Sequence, residues 1–240
     1  MSWGLATTSD VDSLKMQPQF RKATKNMMLA TCAIKNALGD FSIDQSLSLI
    51  IGSSYGELDT TKTFLTTLAV NGIARPFLFQ NSLHNATSGF ITLNFGIRGP
   101  ALSVSNRYFT GENALEVASL LLNSGQGLFA LVVAVDSLVE DLGAGNREIY
   151  PPEIQVTEGA TALLLANDEG VRRLNKIPAA LLEDIQYFSG PSEELCGEYY
   201  DSDALERLTR EILSKNGGYS LKLPKPNGTH SIITWNRVSS

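Results

Sequence analysis

Two short stretches of the chain carry residue types at spacings that could do chemistry. The first is residues 99–125, GPALSVSNRYFTGENALEVASLLLNSG. Its apolar run at 101–104 predicts a short strand, and the polar residues that follow predict a tight turn. Ala114, Leu115, Val117, Ala118, Leu121 and Leu122 then predict a helix that is apolar nearly all round. A side chain at such a turn sits at the mouth of a helix, where free backbone N–H groups and the positive dipole end favour negative charge. Enzymes place thiolate nucleophiles there. This turn holds no cysteine. The second stretch, Gly52-Ser53-Ser54-Tyr55-Gly56, fits G-x-S-x-G after an apolar run, the setting of a hydrolase nucleophile elbow. A serine esterase would use Ser54 as nucleophile, His230 as base and Asp136 to orient the imidazole, and the three follow the hydrolase order along the chain.

The elements that must hold these residues read as alternating helices and strands. Phe20, Ala23, Met27, Ala30, Ile34 and Leu38 recur at helical steps up to Gly39. SLSLII at 46–51 predicts the single strand before Ser54. Residues 58–70 predict a helix closed by Asn71-Gly72, residues 77–79 an irregular bulky patch after a proline, and 83–95 a third helix. Residues 128–135, LFALVVAV, form the clearest strand, and continuous apolarity means both faces are covered. Residues 158–166 and 179–187 read as two strands joined by a charged turn. Beyond 189, residues 202–215 predict an amphipathic helix with Leu205, Leu208 and Ile212 on one face. Residues 219–223 and 231–235 predict a closing hairpin. The pattern gives a layered α/β/α arrangement around a central mixed sheet, with residues 1–190 as one domain and 191–240 as a small cap on it. Leu205, Leu208, Ile212 and Trp235 are expected to bury against the helical layer.

Composition narrows the function classes. Of 240 residues, 43% are hydrophobic and 18% charged, an ordinary globular balance whose low charge hints at a covered surface. The net charge of −6 gives nucleic-acid binding no support. The small basic clusters Arg21/Lys22/Lys25 and Arg172/Arg173/Lys176 suit either an acidic carrier or a solvated helix face. Cys32 and Cys196 make no disulfide framework, so a reducing cytoplasm is expected, with Cys32 as a small core hydrophobe. No apolar run reaches membrane-span length, and no leader pattern opens the chain. Gly143-Ala144-Gly145 is no dinucleotide fingerprint, and no cluster has metal-ligand spacing. No cofactor and no metal are expected.

The chain resembles the β-ketoacyl synthases of the thiolase-like superfamily. Laid on their nucleophile loop without gaps, Gly99-Pro100, Gly111, Ala118 and Gly125 fall where the family has the same residue. LHNATSGFITLNFGIRGP (83–100), TEGATALLLA (157–166) and SLIIGSSYGELDTTKTFL (48–65) match further segments of the family's N-terminal half. The family's acyl-accepting cysteine falls on Tyr108, a bulky phenol with an ordinary pKa of about 10 that forms no thioester. His84 and His230, the two histidines, lie in no family histidine motif. The resemblance implies a thiolase-like half without catalytic residues, similar to the chain-length-factor subunits that dimerise with ketosynthases in type II polyketide and aryl-polyene pathways. It implies a ketosynthase partner, with an acyl carrier protein met indirectly. Ala101, Leu102, Ser103, Val104 and Ser105 would pair across the dimer axis. Phe77, Leu78, Phe79, Ser82 and Asn85 would reach the partner's acyl tunnel. A homodimeric thiolase-like binding protein and the Ser54 esterase remain the alternatives.

Overall fold

A strand buried on both faces needs apolar side chains at consecutive positions. β2 (Leu47–Gly52) and β4 (Phe129–Asp136) meet that condition, and every residue in each is buried. In the computed structural model, which describes residues 2–43, 47–139, 154–190, 197–200, 202–214 and 218–238, they pair in parallel, Leu49 opposite Leu131 and Ile51 opposite Val133. β3 (Ala101–Val104) lies parallel on the outer side of β2. β6 (Gly159–Ala166) joins β4 antiparallel. β1 (Ser2–Ala6) closes the other edge antiparallel to β6. The order is β1-β6-β4-β2-β3, a central mixed sheet.

Alternate side chains feed two cores. On one face Leu49, Ile51, Leu131, Val133 and Leu164 pack under α2 (Lys25–Leu38) and α5 (Ala86–Phe95), chiefly Leu29, Ala33, Ile34 and Ile91. β1 lies so close to α2 that a Cβ on Gly4 would overlap Ala33 O and Ala37 N, so only glycine fits. On the other face Ile50, Val132 and Leu163 pack under α6 (Thr110–Asn123) and α8 (Ala204–Ser214). A Cβ on Gly111 would stand 2.9 Å from the Ala204 Cβ, so this glycine lets the two helices touch.

A second sheet, β7 (Ala180–Phe188), β10 (His230–Arg237) and β9 (Gly218–Pro224) in that order, covers those helices with Leu223, Ile233 and Trp235. Leu205, Leu208, Ile212 and Trp235 are each 5% exposed or less. β7 pairs with β10 along its length, so one sheet joins residues on both sides of position 190. β5 (Ile154–Val156) and β8 (Gly197–Tyr199) form a small parallel pair.

Several local expectations need correction. The helix expected from Phe20 is α2 and starts at Lys25, where the Thr24 hydroxyl accepts from Met27 N at 3.2 Å. Phe20 sits in a separate Pro18–Phe20 turn, as a proline favours at such a start. Two strands precede Ser54 rather than one, because β1 and α1 (Thr8–Lys15) gave no clear apolar period. Residues 77–79 lie inside α4 (Pro76–Asn81), with proline at the first helical position. The supposed charged turn after β6 is a helix, α7 (Asp168–Leu174), capped by the Asn167 side chain on Gly170 N at 2.9 Å. α3 (Leu58–Asn71) matches its prediction and ends on Gly72 in the left-handed region. Residues 143–145 and Cys196 lie outside the described residues.

Candidate functional site

The parallel strands β2, β3 and β4 deliver three chain turns to one end of the sheet, where sites of open α/β sheets collect. Gly52 leads into residues 53–56, Val104 into residues 105–109, and β4 ends on Asp136. The second turn is strained. Arg107 has φ of +42°, a conformation that a residue with a Cβ adopts only under constraint. Thr110, fully buried at the head of α6, supplies that constraint. Its hydroxyl donates to Arg107 O at 2.7 Å and accepts from Asn106 N at 2.9 Å. Ser54 Oγ also donates to Arg107 O, at 2.8 Å.

Tyr108 therefore sits in a fixed turn at the mouth of α6, 7% exposed. Its ring packs with Ile154 and Val156 of β5, and the Arg107 guanidinium lies 5.2 Å from the ring centroid. A phenol packed this way fills space at the helix mouth.

The hydrolase triad is not brought together. Asp136 Oδ1 accepts from Ser53 Oγ at 2.9 Å, Ser54 N at 2.8 Å and Tyr55 N at 3.2 Å, so it ties down the loop instead of orienting an imidazole. His230 hydrogen-bonds to neither Ser54 nor Asp136 and stacks on Phe188 with centroids 4.9 Å apart. Ser54 has no positive φ. The left-handed residue of that turn is Gly56.

The interface residues lie on open surface. α3 and α4 bury none of their side chains. Phe77 and Phe79 are 43% and 55% exposed, Asn85 is exposed, and Leu78 and Ser82 are half-buried. Phe79 packs on Phe64 and Lys22 lies over Phe77, which holds α4 to its neighbours without covering it. β3 is an edge strand with Ala101, Leu102, Ser103 and Ser105 exposed and Val104 half-buried. Cys32 is buried, its Sγ 3.6 Å from Asp10 O, and burial raises its pKa.

Two buried polar clusters escaped the sequence reading. Glu57, at the start of α3, accepts from Thr24 Oγ1 at 2.9 Å and Thr87 Oγ1 at 2.5 Å, and burial raises its pKa against those bonds. Glu112 in α6 pairs with Lys225 at 2.7 Å and accepts from Ser231 Oγ at 2.6 Å, with both charged groups essentially sealed from solvent. The spacing Glu112, Leu115, Leu122 puts that acid on an apolar helix face, a signal that would have found it. Among the described residues no group of three His, Cys, Asp or Glu side chains could hold a metal, and no helix is long and apolar enough to cross a membrane.

The comparisons with known proteins agree with this geometry. No curated protein matches the chain. Three solved structures superpose closely. "The ishigamide ketosynthase/chain length factor" gives a TM-score of 0.75 at 13% identity, covering 96% of this chain and 85% of that one. "Ketosynthase (ApeO) in Complex with its Chain Length Factor (ApeC) from Xenorhabdus doucetiae" gives 0.69 at 17%, covering 99% and 98%. "AntDE:AntF (apo): type II PKS acyl-carrier protein in complex with its ketosynthase bound to the hexaketide" gives 0.76 at 12%, covering 98% and 98%. The fold is thus the thiolase-like one expected. A family model described as "Beta-ketoacyl synthase, N-terminal domain" matches residues 9–176. With the strained strand-turn-helix unit at residues 101–123 lying inside that match, the chain belongs to the β-ketoacyl synthase N-terminal-domain family.

Proposed function

We propose that this chain is a non-catalytic, chain-length-factor-like partner of a β-ketoacyl-carrier-protein synthase. It stabilises the heterodimer and shapes the acyl tunnel in polyene, polyketide or fatty-acid-like synthesis, in the cytoplasm. The observation that carries this reading is Tyr108. The turn at the mouth of α6 is strained at Arg107, and the residue that falls where the resemblance places the family's cysteine is a buried phenol. A phenol at that position forms no thioester with an acyl chain.

The partner face is the unburied α3–α4 pair with the β3 edge. Exposed Leu65, Ile73, Phe77, Phe79, Leu83 and Leu102 belong to it, and apolar exposure on this scale marks an interaction surface. Pairing of β3 across the dimer axis satisfies its free backbone groups. Phe77, Leu78 and Phe79 line or close the partner's tunnel, with Ser82 and Asn85 at its rim. The acyl carrier protein meets the pair mainly through the ketosynthase. The first division of the chain is residues 1–190, with 191–240 as a cap on the same body.

Co-expression with a ketosynthase of a polyene or polyketide system tests the reading. A one-to-one complex that co-purifies at high salt is expected. A chain that stays monomeric and fails to bind any such synthase contradicts it.

A further inference from the structure

The groove at the other end of the strands has no part in the proposed partnership. It encloses about 1190 Å³ beside Phe129, the first residue of β4, and Leu165, near the end of β6. Tyr108 and Asp136 lie at the opposite end of the same sheet. Six consecutive residues of β7, Ala180 to Ile185, line it. Side chains of a strand alternate between faces, and where the register with β10 shifts Glu183 has no opposite residue, so a groove bordered by every residue in turn runs along the strand's edge. β7 is an edge strand, and among the described residues nothing pairs with its outer side. The Ile185 N–H donates to Asp184 Oδ1 at 2.9 Å, and the rest of this edge offers main-chain donors and acceptors to an added strand.

Two features say what fits there. The groove combines an apolar floor, Phe129, Leu165, Leu182 and Ile185, with acidic walls. Among the described residues Asp40, Glu116, Asp168, Glu183 and Asp184 line it, with Arg173 and Lys176 as the basic residues. The middle of β7 is Glu183-Asp184, both exposed. In an antiparallel pairing of β7 with a second copy these acids would oppose one another, which is destabilising. The same charges guard a free edge against aggregation yet welcome a strand of opposite sign. We propose that the β7 edge and its acidic groove form a docking site for an extended polypeptide segment in which lysine or arginine alternates with apolar residues. The site is independent of the ketosynthase reading.

Hydrogen exchange on the full chain tests it. The probe is a synthetic peptide that alternates lysine and valine over the length of β7, and the control alternates glutamate and valine. At low salt the lysine peptide is expected to slow exchange of the 180–188 amides by about tenfold or more, and the glutamate peptide to leave them unchanged. The variant Glu183→Lys/Asp184→Lys should exchange these preferences, protecting with the glutamate peptide and not with the lysine peptide. No protection by either peptide, or equal protection by both, overturns the proposal. So does a concentration-dependent dimer that itself protects 180–188, since the occupant would then be a second copy.

Discussion

Glu112 and Lys225 show how one residue pair can hold a fold together and still be hard to read in a sequence. Neither side chain reaches solvent, and they join α6 to the segment linking β9 and β10. A buried pair adds little over an apolar pair, but removing one partner strands a charge. Lys225→Met is therefore expected to lower the unfolding free energy in urea by about 3–5 kcal/mol, with most of it recovered when Glu112→Leu is added. Asp203 lies nearby and accepts from Arg207 Nε at 2.5 Å. Burial, the leading cause, lifts its pKa to about 6, against the pull of Arg207 and Lys225. The folded form thus holds its proton more tightly than the unfolded chain does. Its contribution to stability is present in full below about pH 4 and is lost as pH rises through about 6. Melting curves across pH 4 to 7 should show this fall, and Asp203→Asn should flatten it. A wild-type curve without that slope removes Asp203 from the account. The strand-turn-helix unit around Tyr108 was legible because its apolar run, polar turn and apolar helix are contiguous in sequence. Glu57 and Lys225 were not, because their burial depends on contacts between segments far apart in the chain, whereas Glu112 carried a local signal in its place on an apolar helix face.

At the scale of elements, periodicity found the parts that make their own case. β2, β4 and α3 are strongly patterned and appear where expected. β1 was missed because Ser-Trp-Gly-Leu-Ala has no strand-like run. Its place depends on Gly4 fitting against α2, a tertiary contact. α7 was read as a turn because its seven residues are mostly charged, although Asn167 followed by Asp168 and Glu169 is a helix-start signal. α4 carries its own signal in Pro76. The α3–α4 pair bears directly on the proposed function. It buries no side chain of its own, so truncating its aromatics should leave the fold intact. Phe77→Ala and Phe79→Ala are expected to shift products of the assembled synthase toward longer chains, with stability changed by no more than about 0.5 kcal/mol. Mass analysis of the products is the readout. Unchanged product length with normal assembly would make these residues plain interface.

At the scale of the molecule, the second sheet matters most. α6 and α8 lie between it and the central sheet, and Trp235, Ile233 and Leu223 complete their core. The turn that carries Tyr108 therefore rests on a well-packed helix. The sequence announced the layering through its alternation of strands and helices, but not that β7 would cross the expected boundary to pair with β10. Strand partners far apart in sequence leave no local period. The central claim is that this chain shapes chemistry performed by another polypeptide. Intact-mass spectrometry of the co-purified complex, after exposure to acyl-loaded carrier protein, tests it most directly. The account predicts that every acyl adduct sits on the ketosynthase and none on this chain. An adduct on Ser54, Tyr108 or any other residue of this chain would contradict it.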